Sequence, residues 1–200
     1  MRRERFTPFD FGLSWLAGFF HQDWTHAGSV EDVFLEAVGT GRTAATVEHD
    51  ADLLIGSTLS NEQIELLWLA MTERHCYWFT PPETGRDLLH RFRTVSRDWQ
   101  QQHGTSCLES DPEWETPELR GRVLRAIKTA PLPAKLQEVL AVCAGTVSAE
   151  LAFRLLLRVY LTGSIPVAPA IWTEYQEINT AFALGEYVIE AIEFLVEDPD

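Results

Sequence analysis

Four short segments of this chain carry the local chemistry of a helix start, and they restrict the fold more than any other feature. Ser29 with Asp32, Ser60 with Gln63 and Thr84 with Asp87 each stand three residues apart. At that spacing an N-cap hydroxyl accepts from the N3 backbone N–H while the N3 side chain reaches back to the N-cap N–H. Thr116-Pro117-Glu118 places a cap before a first-turn proline, whose missing N–H costs nothing there. Apolar residues then recur at helical spacing: Ile64, Leu67, Trp68 and Met71 on one face, and Leu88, Phe92, Val95 and Trp99 on another. No run alternates in the manner of a strand. In the second half Pro131, Pro133, Gly145, Gly163 and Pro166 punctuate the apolar stretches, which predicts helices over about 117–130, 133–144, 148–162, 171–184 and 186–197. The expected fold class is all-α, a helical bundle.

With 200 residues, 46% of them hydrophobic, the chain can bury the core of one larger domain or of two small ones. The polar segment Gln100 to Glu115, with Gly104, Ser106, Asp111 and Pro112, reads as a linker between a domain at 1–104 and a helical module at 105–200. No uncharged apolar stretch reaches the roughly 18 residues that a membrane-spanning helix needs. Met1-Arg2-Arg3-Glu4-Arg5 before a Phe-rich stretch resembles an export signal, but Asp10 interrupts it and no small-residue cleavage site follows, so a cytoplasmic protein is expected. Cys76, Cys107 and Cys143 are odd in number and lack Cys-x-x-Cys spacing, which predicts reduced thiols rather than disulfides or a zinc clip.

Sixteen basic against thirty acidic side chains give a net charge of −14. Direct binding to nucleic acid or to an anionic membrane needs a basic surface, so the expected partner is a basic protein. No Lys or Arg lies between Arg5 and Arg42, and none follows Arg158. In the helix expected over 186–197, Tyr187, Val188, Ala191, Ile192 and Leu195 form the buried stripe, and Glu186, Glu190, Glu193 and Glu197 share another face. Each like-charged neighbour pair costs about 0.2–0.5 kcal/mol in an isolated helix. That face is either solvated or a docking surface for a basic protein. A second candidate contact patch is Glu48, Asp50 and Asp52, beside His49.

The run Phe19-Phe20-His21-Gln22-Asp23-Trp24 sets three polar side chains among aromatics, and each needs a hydrogen-bond partner if it is buried. In one reading His21 and Asp23 cap or cross-link helix ends while Phe20 and Trp24 anchor the core. In another, His21, Asp23 and His26 supply metal ligands, completed by Asp10 or Asp50, for a metal-dependent hydrolase. No His-Glu-x-x-His, phosphate-cradling Gly loop or nucleophile elbow accompanies them. His49, His75, His90 and His103 share no ligand spacing. Arg120, Arg122, Arg125 and Lys128 on one expected helix could hold a phosphate, but amid so much acid an intramolecular salt-bridge face is expected.

The string Phe20-His21-Gln22-Asp23-Trp24 resembles the signature of the immunity proteins of bacterial contact-dependent growth inhibition systems, the CdiI-type family. The likeness continues through an acidic helix at Ser29–Phe34, the pair Leu53-Leu54 before a turn, a helix opening Ser60-Asn61-Glu62-Gln63, the aromatic and proline segment Cys76–Pro82, and a final helix. That helix departs from the family pattern, reading Asp87-Leu88-Leu89-His90-Arg91-Phe92 where a Trp-Leu pair is expected, and nothing beyond about Gly104 is matched. The resemblance implies a small, mostly helical cytosolic antitoxin. It would bind and neutralise the C-terminal domain of a cognate toxin as a stoichiometric inhibitor, without a cofactor and not as an enzyme. Toxins of such systems are often nucleases, and a nuclease must present a basic face to its polyanionic substrate, which an acidic protein can block. The rival expectations are the hydrolase and a helical adaptor or dimerisation protein.

Overall fold

Each marked start opens a helix in the computed structural model, which describes residue 5 and residues 12–38, 41–73, 76–104 and 115–197, the side chains at 41 and 42 excepted. All three capping boxes close reciprocally: the N-cap N–H groups of Ser29, Ser60 and Thr84 donate to Asp32, Gln63 and Asp87 at 2.8, 2.8 and 2.9 Å. Thr116 Oγ1 accepts from the Leu119 N–H at 3.2 Å, with Pro117 in the first turn. The helices are α1 (Leu13–Leu16), α2 (Val30–Ala37), α3 (Gly41–Ile55), α4 (Asn61–Met71), α5 (Gly85–His103), α6 (Pro117–Thr129), α7 (Ala134–Thr146), α8 (Ala149–Gly163), α9 (Pro169–Ala181) and α10 (Glu186–Glu190). Single 3₁₀ turns follow at Ala17–Phe19, Trp24–His26 and Glu193–Leu195. Among the described residues the only β pairing is an isolated parallel bridge between Val167 and Val196, so the chain is all-α. No described helix is long and apolar enough to cross a membrane.

The chain divides into two compact units, Phe9–Leu108, and Glu109–Asp200 together with Met1–Pro8. In the first, α3 lies along α5, and α1, α2 and α4 pack around them. Ile64, Leu67, Trp68 and Met71 are all buried, as their spacing predicts. On α5 the buried row is Leu88, Leu89, Phe92, Ser96 and Gln100, whereas the expected Val95 and Trp99 are half-buried. The stripe turns toward α3 because the Gln100 amide donates to Glu48 at 2.7 Å and to the Ser96 carbonyl at 3.2 Å. Trp99 instead stacks on His103, ring centroids 4.3 Å apart. Arg86, in the first turn of α5, donates to the Leu54 and Ile55 carbonyls that the end of α3 leaves open, and to the Ser57 and Leu59 carbonyls of the loop that follows.

In the second unit α8 is buried along nearly its whole length, and α6, α7 and α9 are packed around it. The Glu115 carboxylate accepts from Ser148 Oγ and from the Ala149 and Glu150 N–H groups at 2.6–3.1 Å, placing an anion on the positive end of α8. Buried Arg154 donates through Nε to Glu150 at 2.6 Å, and Arg5 approaches the same carboxylate at 3.6 Å while its backbone N–H donates to the Ala183 carbonyl. The hydroxyls of Tyr160 and Tyr175 meet at 3.2 Å in the core, and burial pushes both phenols above their ordinary pKa. The helix expected over 186–197 does not run its full length. It stops at Glu190, and farther along the Val167 N–H donates to the Leu195 carbonyl at 2.8 Å and the Glu197 N–H to the Val167 carbonyl at 3.0 Å. Those backbone groups are spent on the bridge and cannot continue a helix.

Candidate protein-binding surface

Phe20 is fully buried and meets Trp68, Tyr77 and Phe92 edge-on at centroid separations of 5.3, 5.6 and 6.0 Å. Trp24 is half-buried, stacks on Tyr77 at 5.6 Å and donates its indole N–H to the Cys76 carbonyl at 2.9 Å. These two residues are the anchors that the core reading expected. The polar residues between them stay outside: His21, Gln22 and Asp23 are exposed on a turn, where His21 Nδ1 accepts the Asp23 N–H at 3.3 Å. Exposed side chains need no protein partner, which removes the burial problem the sequence poses. His26 is exposed as well, and among the described residues no three His, Cys, Asp or Glu side chains converge to hold a metal ion. Asp10, His75 and Cys107 lie outside the described residues.

A network that the sequence did not advertise locks this aromatic cluster. Arg91 grips Glu31 with two hydrogen bonds of 2.7 and 2.8 Å and Glu83 with a third of 2.7 Å, and the Tyr77 hydroxyl donates to Glu83 at 3.1 Å. The guanidinium holds Glu31 below the ordinary carboxylate range, and burial together with the Glu83 charge pushes the Tyr77 phenol up.

The structure does not bring Glu48, Asp50 and Asp52 together as one surface patch. All three lie on α3, but Glu48 and Asp52 turn toward α5, where Arg97 pairs with both and Arg93 donates to Asp52 at 3.2 Å. Asp50 points the other way and is fully buried, accepting the Leu13 N–H at the start of α1 at 3.0 Å. Side chains two apart on a helix diverge by about 200°, so a cluster in sequence becomes an ion ladder on one side and a buried cap on the other. Arg122 similarly pairs with Glu177 on α9 at 2.7 Å and Arg120 with Glu115 at 3.7 Å, while Arg125 and Lys128 are exposed.

The C-terminal candidates differ. Glu186, Glu190, Glu193 and Glu197 are all exposed, and among the described residues no Lys or Arg pairs with them. Val188, Ile189 and Ile192 are buried beneath, the Asn179 amide donates to the Gly185 carbonyl at 2.8 Å, and the Val167 bridge holds the far end. The carboxylates therefore ride on a fixed backbone. Tyr187, expected in the buried stripe, is 41% exposed, and Phe194 is 70% exposed. Helical spacing alone assigned Tyr187 to the core; the structure corrects that, with the ring at the surface although it lies within α10.

No protein-family model matches the chain, no curated protein is significantly similar to it in sequence, and no solved structure matches it significantly.

Proposed function

We propose that this chain is a stoichiometric protein inhibitor that docks an acidic face onto the basic surface of a toxin domain, the immunity role that the Phe20–Trp24 run suggests. The observation that carries the reading is the row of exposed carboxylates at Glu186, Glu190, Glu193 and Glu197, which no described cation neutralises and which a fixed backbone presents. Elsewhere the fold spends several carboxylates on its own arginines, as at Glu31, Glu48, Asp52, Glu150 and Glu177. Where it does not, a negative field is left to attract a cationic partner. Such steering raises association from about 10⁵–10⁶ to as much as about 10⁸ M⁻¹s⁻¹ at low salt. A nuclease is the partner class that best fits, since its substrate-binding face must be basic. The function needs no bond made or broken by this chain, only occlusion of that face.

The test is genetic. Cells expressing the C-terminal domain of the large polypeptide encoded immediately upstream should stop growing, and co-expression of this chain should restore growth. Growth arrest that this chain leaves unchanged would overturn the reading.

A further inference from the structure

We propose that Arg5 is a clasp on the turn between α9 and α10, so that its release loosens the segment that presents Glu186 and Glu190. In sequence Arg5 ends the charged stretch Met1-Arg2-Arg3-Glu4-Arg5, yet it packs in a unit whose other residues begin at Glu109. Its backbone N–H donates to the Ala183 carbonyl at 2.8 Å. Its guanidinium, 14% exposed, stands 3.6 Å from the Glu150 carboxylate on α8. Glu150 is itself held at 2.6 Å by buried Arg154, so Arg5 is anchored to the core helix of the unit at one end and to the turn at the other.

The turn needs such a hold. Ala183 has φ 53°, in the left-handed region where a Cβ is costly, and Gly185 follows at 95°. A non-glycine residue persists there only when the surrounding structure keeps it in place. Asn179 secures the residues beyond Ala183: its carbonyl accepts the Leu184 N–H at 3.1 Å and its amide donates to the Gly185 carbonyl at 2.8 Å. Neither bond reaches the Ala183 carbonyl, which belongs to a buried residue and takes its hydrogen from Arg5. A buried carbonyl deprived of its donor costs free energy, so Arg5 and the turn hold each other. Phe182 and Leu184 are fully buried on either side, which makes the left-handed residue the soft point of a packed stretch. Glu186 opens α10 three residues after Ala183, and the direction in which α10 leaves the core is therefore set here. Loss of the residues up to Arg5, as by proteolysis, would free α10 and end the fixed presentation of its glutamates while α8 stays folded.

Amide hydrogen exchange of the full chain, followed by NMR, compares wild type with Arg5→Ala and Arg5→Glu. Arg5→Ala should speed exchange at Ala183, Leu184 and the amides of α10 about three- to thirty-fold, the combined worth of one hydrogen bond and one partly buried ion pair. Arg5→Glu sets a like charge against Glu150 and should speed it further. The amides of Leu155 and Leu156 in α8, and those of Val167 and Glu197 at the bridge, should exchange as in wild type. Arg122→Ala, which loses the ion pair to Glu177 in the same unit, should leave the turn unchanged. Exchange at Leu184 that neither Arg5 substitution quickens overturns the clasp. Quickening that extends equally to α8 overturns it too, because Arg5 would then be a general prop of the unit. Exchange is read on the chain alone, so the outcome is independent of whether the acidic row docks a partner.

Discussion

Gly12→Ala probes the contact that removes Asp50 from any docking surface. Gly12 caps α1 at φ 61°, ψ −136°, a region that L side chains rarely enter, and Leu13 immediately after it donates to buried Asp50. A Cβ at position 12 would collide with Asp50 Oδ2 and stand 2.8 Å from Thr46 Cγ2. Backbone strain of this kind costs about 1–3 kcal/mol. Displacing the carboxylate leaves the Leu13 N–H unsatisfied in a buried site, a further loss of about 1–3 kcal/mol. The expected destabilisation is therefore about 2–6 kcal/mol, against a total of about 5–15 kcal/mol for a typical domain. Urea unfolding followed by far-UV circular dichroism measures it. In an Asp50→Ala background the collision with the carboxylate is gone and the Leu13 N–H has already lost that acceptor, so only the backbone strain and the close approach to Thr46 Cγ2 remain and the two changes should couple by about 1–3 kcal/mol. A Gly12→Ala cost below about 1 kcal/mol, or additive changes, would refute the reasoning and return Asp50 to the surface.

Other consequences are independent of that site. Phe20→Ala removes the ring shared by Trp68, Tyr77 and Phe92 and should cost about 3–5 kcal/mol in the same assay. Arg91→Met should cost about 1–2 kcal/mol at neutral pH, the sum of partly exposed pairs rather than of buried ones. Because Glu31 has a folded pKa below its ordinary 4.5, its share of that stability is fully present above this value and is lost as pH falls through the folded pKa. The difference between wild type and Arg91→Met in urea midpoint should accordingly narrow as pH falls below 4.5. Glu48→Gln and Asp52→Asn, which break the ladder to Arg93 and Arg97, should each cost up to about 1 kcal/mol and leave the association rate with a basic partner unchanged in stopped flow. A slowed rate would restore these residues as docking contacts.

What the sequence made legible was chemistry confined to a few residues. A capping box is complete within four positions, so the starts of α2, α4 and α5 could be placed from the chain alone, and Thr116-Pro117 did the same for α6. No such marker announced α3, whose faces are determined by partners 41–49 residues away on α5 and 37 residues away at Leu13. The acidic cluster on α3 was misleading for that reason: proximity in sequence said nothing about which side each carboxylate would face. The polar residues of the Phe20–Trp24 run posed a burial problem only if that stretch was helical and inside, and a turn resolves it. In the last segment the helical period assigned Tyr187 to the core, but the ring is 41% exposed, and where the helix was expected to run on, the backbone pairs with Val167, about thirty residues earlier. The glutamates at 186, 190 and 193 were exposed under either geometry, so they were readable without it.

The most direct test of the account is a calorimetric titration of this chain with the C-terminal domain of the upstream-encoded polypeptide, carried out at several salt concentrations. The account predicts a one-to-one complex whose affinity falls steeply with added salt and is reduced by exchanging Glu186, Glu190 and Glu193 for Gln. Absence of binding, or a complex indifferent both to salt and to those three changes, would contradict it.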